Sequence, residues 1–231
     1  MFGLRKKKAR PHFVGDLGQD AWVARVFAGQ RGGYFLDFGA FDGKDMSNTL
    51  YLERELGWRG ICVEPNPTYY PTLCAERTAI CVNSALWSRS REVLTMVDAH
   101  GLSSFEHLKD GDSNARVRTQ ATQRVIEVET VSPTDLLDRF GAPSGIEYMS
   151  LDVEGSEYDI LTGIDFSRYT IKLMTIEHDC SPERQAKVRE YLGRFGYVGL
   201  QMGYDDFFYR TDIAYPVPPD QVARAMGCLE A

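Results

Sequence analysis

Apolar and polar positions change period several times along the chain, and each change marks an element. The runs YFLDF (34–38), GICVE (60–64), AICVNSAL (79–86), EYMSLDVE (147–154) and IKLMTIEHD (171–179) are mostly apolar and short. Such runs, bounded by turn residues, read as strands buried on both faces. Segments with helical spacing separate them. In DLGQDAWVARVFA (16–28), Trp22, Val23, Val26 and Phe27 recur near the 3.6-residue period. DMSNTLYLEREL (45–56) predicts a helix with Asp45 or Ser47 as N-cap and Gly57 just past its end. SPTDLLDRF (132–140), GSEYDILTGI (155–164) and SPERQAKVREYLGRF (181–195) predict three more, with a Ser-Pro pair opening the first and last. PTYYPTLCAER (67–77) is expected as a broken helix, because Pro71 lacks a backbone donor.

Strict alternation occurs in EVLTMV (92–97) and RVIEVETV (124–131), the pattern of exposed or edge strands. The polar stretch 100–123 between them is long for a loop inside a domain. It is expected to be either a lid, with Ser103, Ser104, Phe105 and His107 as contacts, or a disordered connection. YVGLQM (197–202) and DFFYR (206–210) lie close enough to form a hairpin. The tail 211–231 is Pro-rich and then weakly helical, and Val222 and Met226 could pack on their own domain or on a second copy. Strands alternating with helices imply right-handed βαβ units and an α/β fold, a mostly parallel sheet covered by helices on both faces. The expected organisation is a basic tail (1–15), one α/β domain (16–210) and a C-terminal tail (211–231).

Composition narrows the function classes. A hydrophobic content of 43% in 231 residues is enough for a globular core. The net charge of -7 argues against broad nucleic-acid binding. The basic run at 5–10 is expected to be a frayed terminus, or to give weak contact with an anionic membrane surface. No apolar run reaches a membrane span, and no signal-peptide pattern follows the basic run. Five cysteines, an odd number without a CxxC pair, fit a reducing cytoplasm, with Cys62 and Cys81 as small buried hydrophobes.

In doubly wound sheets the ligand lies beyond the carboxyl ends of the strands, so those ends are where chemistry is expected. The first is followed by Gly39 and Gly43. The dinucleotide fingerprint fails, since Phe41 and Lys44 occupy two of its glycine positions. Asp37-Phe38-Gly39 matches a kinase metal motif in three letters only, with no accompanying kinase motifs. A glycine turn leading into a helix N-terminus suits a carboxylate, and Asp37 suits an ammonium, so an amino-acid moiety is the expected ligand. Glu64 ends the second strand about 20 residues later, where a ribose diol is read. Ser84 and Ala85, at the end of the third, would lie beside an adenine edge. Asp152, Glu154, Glu177, His178 and Asp179 gather at the fourth and fifth ends. Carboxylates there could hold Mg²⁺, take a proton or grip sugar hydroxyls. Glu157 and Asp179 could equally be helix-start acids.

Taken in order, FLDFGAFDG, SNT, GWRGICVEPNP, VNSALW, MSLDVEGSEYDIL and TIEH resemble the FkbM family of S-adenosylmethionine-dependent methyltransferases. The resemblance runs from about residue 16 to 210. It implies a Rossmann-like class I methyltransferase sheet of seven strands, the last antiparallel and inserted beside the fifth. It implies O-methylation of a sugar, glycoconjugate or other natural-product hydroxyl on a small molecule or glycan. Asp37, Gly39 and Gly43 would surround the methionine part of S-adenosyl-L-methionine and Glu64 the ribose. Gln19, Ala40, Asp42, Asn48, Pro65, Asn66, Ser84, Ala85 and Asp152 complete the expected cofactor shell. Asp152 and Glu177 match acidic metal ligands of similar metal-dependent enzymes, with His178 where a further acid is more usual. His178 is the first candidate base, ahead of Glu154 and Asp152. The rival readings are a nucleotide-sugar or NAD enzyme on a similar sheet, and a cofactor-binding or interaction module without catalysis.

Overall fold

The structure is a computed structural model that describes residues 12–99, 103–108 and 124–228. The basic run at 5–10 and most of the polar stretch, 100–102 and 109–123, lie outside the described residues. In chain order the strands are β1 (Tyr34–Phe38), β2 (Arg59–Val63), β3 (Ile80–Val82), β4 (Ala85–Leu86), β5 (Val93–Asp98), β6 (Ser104–Phe105), β7 (Arg124–Val131), β8 (Gly145–Leu151), β9 (Thr170–Glu177), β10 (Tyr197–Met202) and β11 (Asp205–Arg210). The helices are α1 (Gln19–Val26), α2 (Leu50–Arg54), α3 (Tyr70–Glu76), α4 (Pro133–Phe140), α5 (Glu157–Thr162), α6 (Pro182–Gly193) and α7 (Pro219–Met226).

The main sheet has seven strands in the order β10-β11-β9-β8-β1-β2-β3. Pairs along β9-β8-β1-β2-β3 are parallel, and β11 is antiparallel to both β9 and β10. The expected antiparallel last strand, inserted beside the fifth strand of this sheet, is therefore present. β1, β2, β8 and β9 are buried on both faces because their side chains alternate between two cores, whereas β3, at the sheet edge, leaves Ile80 exposed. Leu36, Phe38, Ile61 and Val63 face α4, α5 and α6 through Leu137, Ile160 and Leu192. Phe35, Cys62, Tyr148 and Phe207 face α1, α2, α3 and α7 through Trp22, Leu52, Leu73 and Ala223. Full burial of one such large side chain is worth about 1.5–3 kcal/mol, so the two layers hold the strand ends rigidly.

Helix caps follow the chemistry of the chain. Ser132 and Ser181 accept from the backbone N–H of Asp135 and Arg184, with Pro133 and Pro182 opening α4 and α6. Elsewhere the structure corrects the expectations. α2 begins at Leu50, not Asp45, because residues 45–49 fold into the glycine turn, with Met46 in the left-handed region. Pro71 does not break a helix but opens α3 in its first turn, where its missing donor is harmless. The run 79–86 splits at Asn83 and Ser84, whose side chain and backbone carry the chain out of the main sheet into a second one. β8 stops at Leu151, three residues short of Glu154.

The second sheet has the order β4-β7-β5-β6. It covers the carboxyl edge of the first with a small apolar cluster of Ala85, Met96 and Phe105. The segment after β11 returns across its own domain. Tyr215 donates to the Lys172 carbonyl, Trp22 Nε1 donates to the Pro219 carbonyl, and Val222 and Ala223 join the core beside α1.

Candidate active site

Strand order reverses between β1 and β8, so the loops leaving Phe38 and Leu151 diverge to opposite sides and open a crevice. The two loops touch at their first residues. Asp152 N–H donates to the Phe38 carbonyl (3.0 Å), and Gly39 N–H donates to the Val63 carbonyl (3.1 Å). A β-carbon on Gly39 would lie 1.7 Å from the Asp152 carbonyl oxygen, and φ is +88°. At Gly43, with φ +79°, it would lie 2.6 Å from Leu73 Cδ1. Only glycine satisfies both demands at these positions.

Below the turn, Asp37 is buried and accepts from Thr49 Oγ1 and, at 3.3 Å, from Arg77 Nη1. Arg77 is completely buried as a side chain. It donates to Glu53 (2.6 Å), Thr49 Oγ1 (2.7 Å) and Ser47 Oγ (3.3 Å), and its guanidinium lies 5.4 Å from the Phe35 ring centre. The carboxyl of Glu53 is pulled down, since Arg77 and the Thr78 hydrogen bonds outweigh its burial. This cation ties the glycine turn to α2 and α3, and sequence reasoning missed it. In CAERT, Arg77 reads as an ordinary surface arginine at a helix end, and nothing local signals that it turns inward.

Beyond β2, Glu64 is buried with both oxygens engaged: Phe41 N–H at 2.9 Å and Asn66 N–H at 2.7 Å. Each oxygen keeps a second lone pair for a ligand. Burial pushes its carboxyl from 4.5 to about 7, against the opposing effect of those two bonds. Glu64 lies at the edge of a mostly apolar pocket whose walls include Leu86, Met96, Phe105 and Ile160, with Ser103, Ser104, Ser156, Asp152 and Glu154 as its other polar lining. Met96 and Phe105 come from the second sheet, a contribution invisible to any reading of the parallel strands alone. Of the expected loop contacts, Ser103, Ser104 and Phe105 line this pocket, while His107 borders a separate groove beside α6.

The apolar pocket shares Gly39, Phe41, Asp152 and Glu154 with an outer cavity of about 530 Å³. There Asp152, Glu154 and Glu177 each offer an oxygen within 4.8 Å of the others. Asp152 opens to the cavity, whereas Glu154 is buried in a left-handed backbone conformation (φ +59°), uncommon for a residue with a side chain. Ser104 Oγ donates to the Glu154 carbonyl (2.7 Å), joining the second sheet to this loop. Burial and the neighbouring charges of Asp152 and Glu154 push the Glu177 carboxyl up to about 12, so it keeps its proton at neutral pH. Burial also raises Asp152, with the charge of Asp37 adding to it and the Glu177 hydrogen bond opposing it. Asp205 is pushed up to about 8 by burial and by Asp152.

The remaining expected residues divide by position. Gln19, Ala40 and Asn48 line the outer cavity, Pro65 and Ala85 the apolar pocket, and Ser84 a neighbouring groove along β7. Gln19 donates to Asp205 (2.9 Å), and Asn48 donates to Ser150 Oγ (2.9 Å) with its Oδ1 unpartnered among the described residues. Asn66 is buried and donates to Asp98 (2.8 Å). Asp42 instead caps its own turn, accepting from Lys44 and Asp45 N–H (2.9 Å each). Glu157 accepts from Gly155 N–H (2.9 Å), the expected helix-start role, whereas Asp179 lines the cavity. The structure does not bring His178 to the acids. Glu177 points into the cavity, so the next side chain along the strand end turns the other way. The His178 ring lies under α6, 3.3 Å from Gln185 Nε2 and 3.9 Å from Asp206, and burial lowers its pKa. Glu154 takes the third place expected for it.

A family model described as the methyltransferase FkbM domain matches residues 37–199. No curated protein matches the chain. Among solved structures the chain is similar to a precorrin-6Y C5,15-methyltransferase from Geobacter metallireducens GS-15, at 12% identity over 82% of this chain and 84% of that one, with a TM-score of 0.44. It is also similar to a human methyltransferase 10 domain containing protein, at 10% identity over 91% and 88%, with a TM-score of 0.41.

Proposed function

We propose, from the premise that this chain belongs to the FkbM family of methyltransferases, that it methylates a hydroxyl of a sugar, glycoconjugate or other natural product with S-adenosylmethionine. The observation that carries the reading is the pairing of two compartments at the strand-order reversal. One is mostly apolar and edged by Glu64, and the other is rich in carboxylates; they meet at Gly39 and Asp152. The residues fit the cofactor. Gly39 and Gly43 leave backbone room for its amino-acid end, and Asn48 Oδ1, without a hydrogen-bond partner among the described residues, is an acceptor suited to an ammonium. Glu64 has lone pairs for two ribose hydroxyls, and Leu86, Met96, Phe105 and Ile160 suit an adenine face.

Bound S-adenosylmethionine supplies a methyl group on a positively charged sulfur, and the new carbon–oxygen bond forms as the carbon–sulfur bond breaks with its electron pair left on sulfur. The chain's own work is alignment and proton removal. Holding acceptor and methyl in line is worth up to roughly 7–11 kcal/mol of barrier. Asp152 is the group placed to take the hydroxyl proton. It opens to the cavity, with oxygens of Glu154 and Glu177 within 4.8 Å. Asp152, Glu154 and Glu177 would also suit a hard divalent cation such as Mg²⁺, which prefers carboxylate oxygens. His178 is set aside as the base because its ring turns to Gln185 and Asp206. Five free thiols suit a reducing cytoplasm as the place of action, and no helix among the described residues is long and apolar enough to cross a membrane.

Calorimetric titration with S-adenosylmethionine, S-adenosylhomocysteine and NAD, with and without Mg²⁺, tests this reading. Micromolar binding of the first two and none of NAD is expected. Binding of NAD alone would overturn it, and binding of none would favour an interaction module on this fold. Tighter binding with Mg²⁺, lost in Glu154→Gln, would support the cation.

A further inference from the structure

Two cysteines that the cavities do not use meet where α3 passes into β3. Cys74 is exposed near the end of α3, and Cys81 is half-buried in the middle of β3. The Cys81 thiol approaches the carbonyl oxygens of Leu73 (3.9 Å) and Ala79 (3.5 Å), which sets its sulfur against the end of α3. There the Cys74 thiol is its hydrogen-bonding neighbour. The Tyr70 hydroxyl stands beside Cys74 as well and donates to the Cys81 carbonyl (3.2 Å). Cys62 pairs with Cys81 in the β2–β3 register but is completely buried. The short chain between Cys74 and Cys81 carries Arg77, the cation that holds Asp37, Ser47, Thr49 and Glu53 under the glycine turn. The turn also rests directly on this segment. A β-carbon on Gly43 would lie 2.6 Å from Leu73 Cδ1 and 2.9 Å from Arg77 Cγ, so there is no slack between them.

We propose that Cys74 and Cys81 are an oxidation site, converted by a peroxide to a disulfide that a dithiol reverses, and that the disulfide weakens cofactor binding through Leu73 and Arg77. The effect on binding rests on the methyltransferase reading above; the disulfide itself does not. Cys74 is the thiol that an oxidant in solution can reach. Its sulfur attacks one peroxide oxygen, the oxygen–oxygen bond breaks, and a sulfenic acid and one water form. The Cys81 sulfur then attacks the Cys74 sulfur. The sulfur–sulfur bond forms as the sulfur–oxygen bond breaks, and the departing hydroxide takes the Cys81 proton to become a second water. Two thiols have then lost two electrons and two protons to one hydrogen peroxide. Burial and the neighbouring Cys74 push the Cys81 thiol up to about 12, so it keeps its proton until that step and resolves rather than initiates. Neighbouring sulfurs must close to about 2.05 Å, which turns both side chains and draws the end of α3 toward β3. Close packing passes that shift to Gly43 and to the Arg77 guanidinium. In a reducing compartment the pair rests as thiols, and the disulfide is a transient signal.

The test treats the full, reduced chain with hydrogen peroxide, blocks remaining thiols with iodoacetamide and digests with trypsin. Cleavage after Arg77 places Cys74 in the peptide 60–77 and Cys81 in the peptide 78–89. The two peptides are expected to remain joined, with fragmentation placing the link at Cys74 and not at Cys62. Dithiothreitol should separate them, and Cys74→Ser should not form the link. Calorimetry with S-adenosylhomocysteine should then show binding at least about fivefold weaker in the oxidised chain, restored by dithiothreitol. Cys74→Ser should bind equally before and after peroxide, which separates the disulfide from methionine oxidation. The peptide map of the unmodified chain decides the matter if the variant does not fold. Free thiols at both positions, a link through Cys62 or Cys180, or oxidation of Cys74 beyond the sulfenic acid without a link would each overturn the site. A formed disulfide with unchanged affinity would overturn its effect on the turn. No binding of S-adenosylhomocysteine in either state would remove the methyltransferase reading and the effect on binding with it, while the peptide map still judges the disulfide.

Discussion

Replacing Glu64 by glutamine removes a single titration from the folded protein, and its size follows from the site. The carboxyl is buried, and burial lifts it from 4.5 to about 7. A group with a higher pKa in the folded chain holds its proton more tightly there. Its contribution to stability is therefore full below about 4.5 and is lost as the pH rises through 7. A rise from 4.5 to about 7 corresponds to roughly 3 kcal/mol. Glutamine keeps one acceptor oxygen but turns an NH₂ toward the N–H of Phe41 or Asn66, which costs about 1–3 kcal/mol at every pH. The offset is constant, whereas the titration is not. Urea unfolding of both proteins at pH 5 and pH 8 should show the wild type's advantage shrinking by about 2.5 kcal/mol between the two pH values, since part of the contribution is already lost at pH 5. Asp205 and Glu177, also raised, are common to both chains and cancel. Ribose hydroxyls would favour the ionised form, so affinity for S-adenosylhomocysteine should rise from pH 5 to 7 in the wild type and stay flat in the variant. Parallel stability profiles, with the difference constant to within about 1 kcal/mol, would refute the reasoning about this buried acid.

Gly39→Ala should fail to fold or lose at least about 3 kcal/mol with no cofactor binding, because its β-carbon would enter the Asp152 carbonyl; thermal melting and calorimetry check this. Arg77→Met should destabilise by about 3–5 kcal/mol in urea unfolding, since Asp37 and Glu53 would be left buried without their cation, and adding Glu53→Leu should recover part of the loss. Asp152→Asn should reduce turnover by about 10²–10⁴-fold, whereas His178→Gln should reduce it less than about tenfold; the opposite order in an S-adenosylhomocysteine-release assay would restore the histidine as base. Phe105→Ala should weaken S-adenosylhomocysteine binding about tenfold or more while leaving the main-sheet core intact, measured by calorimetry and melting.

The alternation of apolar runs with helical spacing determined the parallel sheet, because strands buried on both faces need continuous hydrophobicity whatever their neighbours are. Ser132-Pro133 and Ser181-Pro182 set two helix starts, since capping depends only on residues within one turn. The glycine turn after β1 and the acid after β2 were also legible, as both follow from position at a strand end. The start of α2 was not, because residues 45–49 are held by Arg77 from α3, a partner about thirty residues distant. The same holds for Pro71, whose effect depends on where the helix begins. Phe105 was among the contacts expected from the loop sequence, but tertiary structure alone placed Met96 beside it over the apolar pocket, since the second sheet belongs to no βαβ unit. It also chose Glu154 over His178. The two lie on different loops, and which side chain meets Asp152 and Glu177 depends on the left-handed turn at Glu154 and on the packing of α6 above His178. Local sequence sets which backbone shapes are allowed, and only long-range packing decides which side chains share a cavity.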